Sequence, residues 1–116
     1  MIVWIGVALL GGVGACARFL VDGAVPARSF PLGTLVVNLS GAFVLGLLSA
    51  AGLSDDAYLL AGTATLGAYT TFSTWMLESH RGGEGGDARV LWANIAVSLI
   101  AGLVAVALGH WIGRLL

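Results

Sequence analysis

Charge is nearly missing from this chain. Only 9% of its 116 residues are charged, against 59% hydrophobic, and the mean hydropathy is +1.00. Soluble domains carry roughly 25% charged residues, so a fold that presents its surface to water is excluded. The net charge is −1, which gives nucleic-acid binding no electrostatic basis. Cysteine is reduced to Cys16 alone, which excludes an intramolecular disulfide and a cysteine metal cluster and leaves a small packing residue. Nothing basic precedes Ile2. A secretory leader needs a positive n-region, so the first apolar run is expected to be a retained span.

What remains is four uncharged runs. The charges sit at Arg18, Asp22, Arg28, Asp55, Asp56, Glu78, Arg81, Glu84, Asp87, Arg89 and Arg114, and between them lie Met1–Ala17, Ser29–Ser54, Ala57–Leu77 and the stretch from Val90 past Leu108. Each approaches the ~17–25 residues that cross a bilayer as a helix. The reading is an all-α integral membrane protein with one domain over residues 1–116 and spans at about 2–20, 31–53, 57–78 and 89–110. Its connections are short. Pro31 stands at the start of the second span, where proline suits a first helical turn. Ser54-Asp55-Asp56 makes a tight turn with its acids at a helix N-terminus, favourable for the dipole. Gly82-Gly83-Glu84-Gly85-Gly86 marks the third loop, Ser79–Asp87, as the flexible one. Trp4, Trp92 and Trp111 fall near span ends, as an aromatic belt requires. Gly11 with Ala15, Gly41 with Gly46, and Ser98 with Gly102 put small residues on shared faces, which lets membrane helices approach.

The third run contains the oddity. Gly67-Ala-Tyr-Thr-Thr-Phe-Ser-Thr74 places hydroxyls side by side after a glycine in a segment otherwise fit for hydrocarbon. Such hydroxyls compete for backbone carbonyls and favour a bend or break. Broken backbone at membrane depth is tolerated only inside protein or beside a polar cavity, and it is where transporters bind ions. The third helix is therefore expected to break near Gly67–Thr71. Thr34, Asn38 and Gly41 form a stripe on the second span; Asn94, Ser98 and Gly102 form one on the fourth. Thr71, Phe72, Ser73, Thr74 and Trp75 follow the break. Such groups can simply glue helices, at about 0.6 kcal/mol each, or together line a path. Arg18 either snorkels to the interface or forms an electropositive vestibule. Trp75 is either a belt residue beside Glu78 or part of the path. The spans contain no central acid or lysine, and a proton-coupled carrier normally needs one, so a passive route is expected.

Three motifs resemble the signatures of the CrcB/Fluc fluoride channel family, in order and spacing: Gly11-Gly-Val-Gly-Ala-Cys-Ala-Arg18-Phe19, Pro31-Leu-Gly-Thr34-Leu-Val-Val-Asn38-Leu-Ser-Gly41, and Gly67-Ala-Tyr-Thr70-Thr-Phe72-Ser-Thr-Trp-Met-Leu-Glu78. The resemblance covers nearly the whole chain. It implies a fluoride-selective passive channel, not an enzyme, in the plasma (inner) membrane, which exports fluoride down its gradient. It also implies an antiparallel, dual-topology dimer with two pores, and a structural sodium ion held by the backbone carbonyls of Gly67 and Thr70. By the same resemblance Phe72 belongs to the ring box, whose positive ring edge can face an anion. Asn38 and Ser98 match pore-lining donors, Thr34 lies on the stripe of Asn38, Thr71 flanks Phe72 and Trp75 on the third span, and Arg18 matches the vestibule arginine. The chain departs from the pattern at Trp75 (usually phenylalanine), Ala68 (usually glycine) and Asn94 (commonly tyrosine).

Two other readings fit a chain this size: a proton-coupled antiporter of the small multidrug resistance type, and a non-transporting structural membrane subunit. The antiporter needs a carboxylate in the first span, and none precedes Asp22. Arginine placement bears on partnership. Arg28, Arg81 and Arg89 fall on the side of loops one and three, with Arg18 leaning that way and Arg114 opposite. Positive-inside bias then puts loops one and three in the cytoplasm. A chain inserting both ways should be balanced, so the second subunit is expected to be either another copy or a paralogous partner of opposite bias.

Overall fold

The hydrophobic residues of this protein have almost no interior to occupy. In the computed structural model, which describes residues 1–26 and 30–116, Val37 and Ala64 are the buried apolar residues of the core, while Trp4, Leu9, Phe19, Trp92, Leu103 and Trp111 stand more than 60% exposed. That inversion suits a molecule whose solvent is lipid, where helices associate through close packing and hydrogen bonds rather than by excluding water.

The described residues are helical throughout, without strands. Helix α1 is Ile2–Ala24 and α2 is Leu32–Ala50. A helical run over 55–69 then comprises α3 (Asp55–Tyr58), a π-helical stretch (Leu59–Leu66) and α4 (Gly67–Tyr69). After an interruption come α5 (Ser73–Glu84) and α6 (Ala88–Gly113). Helices α1, α2 and α6 are each long and apolar enough to cross a membrane. The longest dimension, 49 Å, slightly exceeds the ~40–45 Å of a bilayer with its headgroups.

Local chemistry sets the helix ends. The Pro31 carbonyl accepts from Leu35 N–H at 3.2 Å, so Pro31 caps α2 and Leu32 opens it. Gly52, at φ 62°, ends the turn after α2 in the left-handed conformation that glycine adopts without strain. Ser54 caps α3, its hydroxyl accepting from Ala57 N–H at 3.3 Å, with Asp55 and Asp56 in the first turn as expected. In the π stretch the Thr65 hydroxyl donates to the Leu60 carbonyl, five residues back, at 2.8 Å.

Glycines decide the packing. A Cβ on Gly109 would strike the Phe43 carbonyl, and one on Gly46 the Val106 carbonyl, so α2 and α6 meet backbone to backbone. Gly14 of α1 likewise lies against the Thr65 carbonyl, and Gly41 of α2 lies under the Thr70 methyl and the Tyr69 ring. A Cβ on Gly102, by contrast, would meet nothing within 4 Å among the described residues, so the pairing of Ser98 with Gly102 brings no helix of the same chain close.

Two expectations shift. α1 continues to Ala24, carrying Arg18 and Asp22 inside the helix. The third loop shrinks, because Gly82 and Gly83 lie within α5, where Cβ atoms would meet the Val90 and Leu91 side chains of α6 at 2.7 and 2.9 Å. Packing there overrides the roughly 1 kcal/mol helical cost of each glycine, aided by a His80–Glu84 pair at 3.2 Å. The turn itself needs Gly86, at φ 85°. Arg28, counted above toward loop one's charge, lies outside the described residues, as does Ser29.

Candidate functional site

The break falls at Thr70–Phe72, at and just beyond the end of the expected segment. Thr70 is extended at ψ 163°, and the helix resumes at Ser73. Asn38 of α2 holds the gap. Its Nδ2 donates to the Thr71 carbonyl at 2.9 Å, and its Oδ1 accepts from Thr71 N–H at 2.8 Å. One amide thus replaces two helical hydrogen bonds that the broken chain cannot make for itself. In an unbroken helix Thr71 N–H would bond the Gly67 carbonyl; here Asn38 takes it. The Thr70 hydroxyl donates back to the Leu66 carbonyl at 2.9 Å and terminates α4. The Thr71 hydroxyl accepts from Thr74 N–H at 3.3 Å and opens α5.

Six of the sequence-designated residues, Asn38, Gly67, Thr70, Thr71, Phe72 and Trp75, line one open groove of ≈ 560 Å³, together with Gly41, Gly62 and Thr63. Phe72 is 70% exposed and meets Trp75 edge to face, centroids 5.6 Å apart at 81°. An aromatic pair of this kind presents ring edges, the positive part of the quadrupole, along a lining that carries no formal charge. Gly67 is helical, with φ −62°, and open, since a Cβ there would meet nothing within 4 Å. Neither backbone conformation nor packing inside one chain requires glycine at this position.

A second cavity of ≈ 170 Å³ adjoins through Thr71 and is lined by Arg18, Asp22, Thr34 and Thr74. Arg18 does not snorkel outward. Its guanidinium reaches the Thr70 carbonyl at 3.5 Å, a long contact, and among the described residues it makes no ion pair with Asp22. Thr34 is 3% exposed and faces the Glu78 carboxyl. One Glu78 oxygen is buried without a hydrogen-bond partner among the described residues. The acid-free stripe read from the sequence therefore has a carboxyl at its edge, because α5 carries Glu78 round to Thr34.

Ser98 stands apart from this groove. Its hydroxyl donates to Asn94 Oδ1 at 3.3 Å; Asn94 Nδ2 donates to Ser79 Oγ at 2.8 Å; Ser79 Oγ donates to the Trp75 carbonyl at 2.8 Å. The Trp75 indole N–H donates to the Asn94 carbonyl at 3.3 Å, so the Trp75 ring is tied to α6. Sequence reasoning missed Ser79 and gave Asn94 no role beyond its stripe. The available signal was Ser79 lying one helical turn after Trp75. A further unforeseen bond joins Ser40 of α2 to the Tyr69 hydroxyl at 2.8 Å, tying the end of α4 to α2.

Arranged this way, a broken helix offers loosened carbonyls, ring edges and a few amide and hydroxyl donors along a groove, with a guanidinium beyond. That set can strip part of the hydration from a small ion and pass it on; among the described residues no His/Cys/Asp/Glu grouping suits a metal centre. Known proteins point the same way. A protein of Mycolicibacterium paratuberculosis named fluoride-specific ion channel FluC 2 is 59% identical over 116 residues, covering 97% of this chain and 95% of its own length. The protein of that name from Mycobacterium bovis is 54% identical, over 97% of this chain and 92% of its own length. The fluoride-specific ion channel FluC 1 of Symbiobacterium thermophilum is 40% identical over 119 residues, covering 95% and 96%. Residues 5–110 match the family model described as "CrcB-like protein, Camphor Resistance (CrcB)", and with that match spanning most of its length, this chain belongs to the CrcB-like family.

Proposed function

We propose that this chain is a fluoride-selective, passive ion channel that lets fluoride leave the cytoplasm down its gradient across the plasma membrane. The observation that carries the reading is the Phe72–Trp75 pair on an uncharged groove directly after the Asn38-clamped break. Fluoride is small and strongly hydrated. A ring edge and an amide N–H can attract it weakly enough to let it go, whereas an ion-paired cation would trap it. Asn38 has one Nδ2 hydrogen left after its bond to Thr71 and can donate it. Arg18 collects anions at the mouth of the adjoining cavity, beside Thr34 and Thr71.

The channel is a pair of chains with the segment 55–84 as a fourth crossing, split at the break. Asn38, Thr63, Thr70 and Thr71 along an open groove are poor surfaces for lipid. A second, oppositely oriented subunit, either another copy or a paralogue, covers them and completes the pore. A structural sodium ion at that interface suits the Gly67 carbonyl, since Thr71 N–H goes to Asn38 instead and Gly67 lines the groove. The Thr70 carbonyl is the weaker fit, because Arg18 already approaches it. Such an ion would supply cross-chain anchoring through oxygen ligands and take no part in conduction. Ser98, read as a donor, spends its single proton on Asn94 and would first have to release it.

The test is efflux from loaded liposomes. Fluoride should leave rapidly with no proton gradient applied. Efflux that requires an imposed proton gradient would favour the antiporter, with Glu78 as the coupled group, and no efflux at all would favour a structural subunit.

A further inference from the structure

The chain of bonds around Asn94 has a fixed direction. The Trp75 carbonyl can only accept, so the single proton of Ser79 is committed to it at 2.8 Å. Ser79 Oγ must then accept from its other neighbour. This sets the Asn94 amide with Nδ2 toward Ser79 and Oδ1 toward Ser98. The Asn94 carbonyl simultaneously receives the Trp75 indole N–H. Both the backbone and the ring of Trp75 are therefore tied to one α6 residue, which is 1% exposed.

We propose that Asn94 is a positioning residue for fluoride conduction: by donating to Ser79 it locks α5 against α6 in the one register that holds the Trp75 ring edge-to-face with Phe72. The residue acts through Trp75 and touches no ion. Phenylalanine at position 75 would have no N–H to place, so the tryptophan and the asparagine work as a unit. A buried amide left half-satisfied costs more than an apolar replacement. Its placement between two membrane helices, bonded at both ends of the amide, argues for an orienting task.

The inference rests on the fluoride-channel reading for its flux arm but not for its spectroscopic arm. In liposomes, Asn94→Leu and Ser79→Ala should each cut fluoride flux roughly tenfold, the population change expected when one buried hydrogen bond is lost. The double variant should lose no more than either alone, as members of one network do. In a chain with Trp4→Phe, Trp92→Phe and Trp111→Phe, Trp75 is the only indole. Its emission should shift to the red and its quenching by acrylamide should rise in each Asn94 and Ser79 variant. On a Trp75→Phe background, Asn94→Leu should change flux less than twofold. Asn94→Leu with normal flux, additive losses, or lowered flux with unchanged Trp75 emission would each overturn the proposal. A parent protein that passes no fluoride would overturn the channel reading instead, while the emission test would still decide the role of Asn94.

Discussion

Asn38 shows how one side chain can make a broken helix affordable in a membrane. Replacing it with leucine strands the Thr71 N–H and carbonyl that it now satisfies at 2.8 and 2.9 Å, at about 1–3 kcal/mol for each stranded group. Asn38→Leu should therefore lower the melting temperature in detergent as well as abolish flux. A loss of flux at unchanged melting temperature would mean that Asn38 serves the ion alone. Phe72 makes the opposite case. It is 70% exposed and its ring meets only Trp75, edge to face, among the aromatic contacts of the described residues, so Phe72→Ile should leave melting and assembly intact while reducing fluoride flux at least tenfold, by loss of the ring edge. Unchanged flux would remove Phe72 from the pathway. At this scale the sequence was informative about which residues matter and less so about how. Asn38, read as a donor to an ion, is also a backbone clamp, a role not legible because the hydroxyl run announces a break without saying which distant amide will repair it. Ser98 read as a pore donor, but its proton is directed at Asn94, a detail fixed only when α5 and α6 are side by side.

Helix ends and breaks follow local chemistry, and most were legible. The acids after Ser54 and the gap after Gly67 fall where residue type requires, whereas α2, expected to run to about 53, ends at Ala50, with Gly52 turning the chain at φ 62°. The π stretch Leu59–Leu66 was not foreseen, since its apolar and small residues carry no distinct period. Nor was the length of α5: Gly82 and Gly83 look like a loop in isolation and become helix only against Val90 and Leu91. The glycines differ sharply in consequence. Gly109→Val would drive a side chain into the Phe43 carbonyl, which cannot rotate away, and overpacking of that kind costs about 1–3 kcal/mol or more. It should part α2 from α6 and aggregate the protein. Gly67→Val meets nothing inside one chain, so a single chain should tolerate it, and any harm would be to assembly. Size-exclusion chromatography with melting curves separates the two. Normal assembly of Gly67→Val would take Gly67 out of the interface.

Across the whole molecule, apolar bulk turned outward on every long helix suits lipid, whereas a groove of aromatic and polar groups is left open. Its orientation was legible only in part. Arg81 and Arg89 flank the third loop and Arg114 lies at the other end, while Arg28 is outside the described residues. If this bias fixes one orientation, a cysteine introduced by Gly85→Cys, with the exposed Cys16 changed to alanine, should be labelled from the cytoplasmic face alone, and a paralogous partner is required. Labelling from both faces would mean dual insertion and pairing with another copy. The central claim, that the groove beyond the break conducts fluoride and rejects other halides, is tested most directly by current across a planar bilayer holding a fluoride gradient in symmetric chloride. The account predicts a reversal potential at the fluoride equilibrium value, unmoved by a pH difference. A reversal at zero, or one that follows the proton gradient, would contradict it.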